Sequence, residues 1–161
     1  MHRVGQFVAH VRARVDPEEA ALARRILPPT AVALFEAMPV ADRRHGLDVT
    51  EKLLRAGQDD PDLLAAALLH DAAKGRRMRL WHRVAGVLLE ALAPSVLRRL
   101  ARPEPTSWRH AFHLYLHHEA LSADLARGAG CPARVAAFII GTVPDSDGRL
   151  LEALRKADDA S

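Results

Sequence analysis

Cysteine occurs once in the 161-residue chain, as Cys131, so no disulfide can form within it. Aromatic residues make up only 4% of the sequence. Runs rich in Val, Ile and Thr are missing as well, and with them the usual material of a β-sheet. No apolar stretch reaches the roughly 20 residues that span a bilayer. Met1 to Val15 holds no continuous apolar run of the kind a secretory leader needs. These absences lead to the expectation of a cytoplasmic protein without a membrane partner. Lysine is scarce too: Lys52, Lys74 and Lys156 leave 20 arginines among the 23 basic residues. The net charge is only +3 despite a pI near 9.6. Because the arginines are spread along the chain, they look like a composition bias and argue against a nucleic-acid partner.

What is present is helix-forming sequence. Hydrophobic residues account for 49% and charged residues for 27%, an ordinary globular balance, and the length suits one domain with a substantial core. The expectation is an all-α, single compact domain over residues 16–161, preceded by an arm or frayed helix at 1–15. Asp16, Pro17 and Glu19 form a helix start with a capping box, and Pro28-Pro29 ends that helix. Thr30 is placed to cap a second helix through Met38. A third runs from Val40 to Ala56 and stops at Gly57. Asp60 caps a fourth, with Pro61 in its first turn. Further helices are predicted over Leu80–Leu92, Pro94–Leu100, Ser107–Arg127, Pro132–Ile140 and from Gly148 onward.

The fourth of these segments carries the chemistry. From Pro61 to Gly75 the chain is almost wholly apolar, yet it contains His70-Asp71. A helix apolar all round is a buried helix, and a buried imidazole beside a carboxylate needs partners for both groups. A divalent metal satisfies both at once. More ligands must then come from other inward positions. His45 shares a helix face with Ala41, Val49 and Leu53, and Asp158 shares one with Leu154 and Leu151. The neighbouring Asp159 is expected outside, within reach of Arg155.

His45, His70-Asp71 and Asp158, in that order, resemble the signature of the HD-domain superfamily of metal-dependent phosphohydrolases. Leu69-His70-Asp71-x-x-Lys74-Gly75 is similar to the central motif of that family, and Leu154-Arg155-Lys156-Ala157-Asp158 to its closing one. The resemblance covers residues 40–161. It implies an HD-type helical domain in which His45, His70, Asp71 and Asp158 hold one divalent ion: Mn, Fe, Co, Ni, Mg or Zn. Asp71 would also orient an attacking water, and Lys74 would stabilise charge on phosphate oxygens. The substrate implied is a small phosphorylated molecule, a nucleotide or another phosphoester. Arg76 and Arg77, with Arg79 and Arg83 close by, would attract its phosphate.

Four of the nine histidines lie between Ser107 and Arg127. At 100° per residue His110, His113, His117 and His118 share an arc with Leu114, Leu121 and Leu125, while Phe112, Leu116 and Glu119 fall elsewhere. His117-His118 followed by Ser122-Ala123 resembles a stretch that binds a second metal in some HD branches, with serine where glycine is usual. His118 fits that role first and His117 next. His82, in His82-x-x-x-Gly86-x-Leu88-Leu89, is a competing match, read otherwise as a partly exposed histidine beside Trp81. Two-metal relatives also carry a histidine shortly before the last helix, where this chain has Ile139-Ile140-Gly141-Thr142. A weakened or absent second site follows. The alternative to turnover is a metal- or nucleotide-binding sensor, or a partner-binding module. His2 and His10 are expected in solvent.

Overall fold

The computed structural model describes residues 15–75, 78 and 80–161, without the side chains of Leu80 and Arg83. His2, His10, Arg76, Arg77, Arg79 and nearly all of the expected N-terminal arm lie outside the described residues. Among the described residues the chain is all-helical: α1 (Pro17–Ile26), α2 (Pro29–Ala37), α3 (Val40–Arg55), α4 (Pro61–Leu69), α5 (Leu80–Leu92), α6 (Pro94–Leu100), α7 (His110–Gly128), α8 (Ala133–Ile140) and α9 (Gly148–Asp159), with a 3₁₀ turn at Asp145–Asp147.

Local chemistry sets most of these ends. The Asp16 side chain accepts from the Glu19 amide while Glu19 reaches back to the Asp16 amide, the reciprocal capping box. Asp60 accepts from the amides of Asp62 and Leu63 at the head of α4. Thr30 does not cap α2. Two prolines can stand at a helix start, because the first-turn amides have no intrahelical partner to lose. So Pro28 takes the cap position and Pro29 the first turn. The Thr30 hydroxyl instead donates to the carbonyl of Ala129, tying α2 to the end of α7. Helix α7 starts three residues later than predicted, after turns through residues 105–109.

Helix α4 is the central strut. Every residue from Leu63 to Leu69 is buried. Helices α3, α8 and α9 pack along it, with α1 and α7 also touching it. Glycine makes the closest of these crossings possible. A Cβ on Gly46 of α3 would stand 3.0 Å from the carbonyl oxygen of Leu68 and 3.1 Å from that of Ala67. The missing side chain therefore brings α3 down onto the last turn of α4, beside His45 and His70. The main core draws on α1 to α4, the second half of α7, α8 and α9. Helices α5 and α6 stand outside it. They pack on each other and on α7, around buried Met78, His82, Leu97, Ala111 and Phe112.

Candidate metal centre

The buried helix α4 ends at His70, its C-cap. The backbone then coils through i to i+3 hydrogen bonds, from the Ala72 amide to Leu69 and from the Lys74 amide to Asp71. This coil lies beside the first half of α3 and the last turn of α9. His45 from α3 and Asp158 from α9 meet His70 there, so three elements separated in sequence converge. Ligand atoms of His45, His70 and Asp158 all lie within 4.8 Å of one another. His45 Nε2 stands 2.8 Å from Asp158 Oδ1, and the two imidazoles meet edge to face with centroids 5.2 Å apart.

His70 is oriented from behind. Its Nδ1–H donates to the Ala67 carbonyl at 2.9 Å, so Nε2 faces the cluster and is the nitrogen that offers a lone pair once the ring is neutral. Nε2 is buried and makes no hydrogen bond. Asp158 Oδ1 lies 3.5 Å from it and Asp71 Oδ1 3.6 Å. An orphaned basic nitrogen between two carboxylates is a poor arrangement for a dry core and a suitable one for a cation. The donor set, imidazole nitrogens and carboxylate oxygens, matches first-row divalent metals. The residues present therefore fit a resident metal ion.

Asp71 stands at the edge of this group. Its side chain is 2% exposed, and Lys74 Nζ sits 2.6 Å from Oδ1 and 2.7 Å from Oδ2. Burial opposes ionisation of Asp71, but the charges of His70 and Lys74 outweigh it and hold the carboxyl well below its ordinary range. Asp158 is half-exposed and is depressed in the same way, the hydrogen bond from His45 and the nearby positive charge of His70 exceeding the cost of burial. Asp159 faces solvent.

The arc drawn for α7 needs correction. Its buried face runs through Ala111, Phe112, Ser122, Ala123 and Ala126, whereas His117 and Leu125 are exposed. Leucine positions suggested the wrong face, because α7 packs chiefly through small residues together with Phe112. Of the paired histidines, His118 is the one near the site. Its Nδ1–H donates to the Tyr115 carbonyl at 2.9 Å. Burial and the charge of Lys74 push its pKa down, with Asp71 opposing. His117 joins a solvent-side column with His113 and His110, at centroid spacings of 4.5 and 5.7 Å. His82 is buried, not partly exposed. It stacks on Trp81 at 3.6 Å and meets Phe112 edge to face, so it belongs to the α5–α7 packing.

The roles of two residues escaped the sequence reading. The buried Ser122 hydroxyl accepts from the Ala73 amide at 3.0 Å and anchors the coil that carries Asp71 and Lys74. Its signal was a hydroxyl within a stripe of small apolar residues. Arg134 joins Asp60 at the head of α4 (2.8 Å) to Asp147 just before α9 (2.7 Å), holding the helices of His70 and Asp158 in register. A lone arginine in an arginine-rich chain gave no such signal. Comparison with protein-family models, with curated proteins and with solved structures finds no match.

Proposed function

We propose that this chain is an HD-type metal-dependent phosphohydrolase acting on a nucleotide or another phosphoester. One observation carries the reading. His45, His70 and Asp158, distant in sequence, bring ligand atoms within 4.8 Å of one another around a buried imidazole nitrogen that makes no hydrogen bond. These three residues would hold the ion, with Asp71 adjoining through Oδ1. A divalent ion there supplies Lewis acidity toward a phosphoryl oxygen and lowers the pKa of bound water. Asp71, kept ionised, is suited to orient that water. Lys74 offers the nearest positive charge to oxygens of a bound phosphate. His118, held neutral with its Nδ1–H committed to Tyr115, offers Nε2 as a proton acceptor or as a ligand beside the phosphate. Arg76 and Arg77 remain candidates for attracting the phosphate on sequence grounds.

A second reading is a metal- or nucleotide-binding sensor, or a partner-binding module, without turnover. The Lys74 ion pair favours it, because Lys74 hydrogen-bonds Oδ2 of Asp71 and its charge already neutralises the carboxylate. So does Ile139–Thr142, which offers no imidazole ahead of α9.

The test is elemental analysis of purified protein beside a turnover screen on nucleotides and generic phosphoesters. Metal near one equivalent, lost in His70→Ala, with turnover, supports the hydrolase. Metal without turnover supports the sensor. Wild-type protein that takes up no divalent ion overturns both.

A further inference from the structure

Helix α5 turns a long apolar face to solvent. Trp81 is 51% exposed, Val84 52%, Leu88 54% and Leu92 81%. Spacings of three and four residues put these four side chains on one stripe. Val87 and Val96 extend it, and Trp108 at the start of α7 is 62% exposed. The two tryptophans belong to one surface, because both rings flank Phe112, at 6.2 and 6.1 Å. Scattered exposed leucines are ordinary on a protein surface, whereas a contiguous patch of this kind marks a contact.

Charge identifies the occupant. Among the described side chains of residues 81–103, Arg98, Arg99 and Arg102 are exposed and Glu90 is the single acidic residue. Glu90 is itself engaged by the Tyr115 hydroxyl at 2.6 Å. Beside the stripe, Val96, Arg98, Arg99, Arg102 and Arg109 line a shallow depression of about 500 Å³. An aliphatic stripe flanked by exposed tryptophans and arginines is the chemistry of a helix lying in a bilayer interface: the ring edges sit at headgroup depth and the guanidinium groups on lipid phosphates.

We infer that the α5–α6 face docks on anionic lipid bilayers. A second copy of the chain is a poor occupant, since a two-fold contact would set one basic surface against another. Nucleic acid would use the arginines and leave Val84, Leu88 and Leu92 without a role. No helix among the described residues is long and apolar enough to cross a membrane, but span length governs insertion and not attachment at the surface. The expectation of no membrane partner is thereby revised for this face.

The test uses full-length protein with vesicles of phosphatidylcholine alone and of phosphatidylcholine with phosphatidylglycerol. Co-sedimentation with the anionic vesicles only is expected, reversed by added salt. Tryptophan emission should shift to the blue, and Trp81 and Trp108 are the chain's only two reporters. Leu88→Asp with Leu92→Asp, and separately Arg98→Glu with Arg99→Glu, should each weaken binding by about tenfold or more. All four side chains are exposed, so circular dichroism should stay unchanged. Failure to sediment with either vesicle overturns the inference, as does equal binding by the variants. A concentration-dependent dimer abolished by Leu88→Asp, without vesicle binding, assigns the face to a second copy. DNA binding lost only in the arginine variant, again without vesicle binding, assigns it to nucleic acid.

Discussion

At His70 two consequences of burial compete. Loss of water penalises the imidazolium, yet Asp71 and Asp158 outweigh that penalty and raise the pKa from 6.5 to about 8. In metal-free protein the extra proton on His70 stabilises the fold fully below pH 6.5, and this contribution is lost as pH rises through 8. Urea unfolding of metal-free protein should therefore show stability falling across that window, by at most about 2 kcal/mol. His70→Asn should flatten the trend. A metal claims the same nitrogen, so loading near pH 7 should release up to about one proton, measurable by calorimetry in buffers of different ionisation enthalpy. Lys74 poses a second question at this scale. Lys74→Met leaves the Asp71 carboxylate buried without its cation. Metal-free protein should lose about 3 kcal/mol, and a neighbouring divalent ion should restore much of it. With metal bound, turnover should still fall about 10²-fold, since the charge nearest the phosphate is gone. Full activity in that variant would reduce Lys74 to a structural partner of Asp71.

Among the elements, the crossing of α3 and α4 decides whether a site exists. Gly46 follows His45 and lies against the carbonyls of Ala67 and Leu68, two residues before His70. A methyl group there meets backbone, which cannot swing aside as a side chain could. Gly46→Ala should push the helices apart by a few tenths of an ångström and cost about 1–3 kcal/mol. The same displacement separates His45 from His70, so metal affinity should fall further than stability alone explains. Metal titration of Gly46→Ala at a temperature where it remains folded checks this. Unchanged affinity would mean that the site tolerates the shift.

For the whole molecule, metal stoichiometry is the decisive quantity. The described residues gather one group of three candidate ligands, His45, His70 and Asp158. His118 is the remaining imidazole in electrostatic contact with Asp71 and Lys74, while His82 and His117 belong to other surroundings. Titration of metal-free protein with Mn²⁺ should give a single strong step near one equivalent. A second ion would have mainly Asp71 and His118, and two protein ligands with water seldom retain a transition metal at trace concentration. Two tight steps would show that His118 and Asp71 rearrange, with Lys74 displaced, into a binuclear centre.

The sequence by itself determined the helices and the inward residues of the centre. Asp16, Asp60, Gly57 and the prolines act through bonds to neighbouring backbone, so their effect is written within a few residues. The apolar run of α4 demanded burial whatever surrounded it, and His70-Asp71 inside that run demanded compensation. Periodicity placed His45 and Asp158 on inward faces for the same reason. Only the tertiary structure decided which face of α7 is buried, because the helix packs chiefly through its small residues and Phe112. It also decided that Lys74 clamps Asp71, that Ser122 anchors the coil, that Arg134 links α4 to α9, and that His82 lies under Trp81. The Ser122 and Arg134 contacts join elements whose separation no local pattern encodes, while the Lys74–Asp71 and Trp81–His82 pairs are local and owe their burial to the helices packed over them. The outward face of α5 belongs with them. Its stripe reads as core in the sequence, and it stays outside because α1, α3, α7, α8 and α9 are the helices that pack on α4.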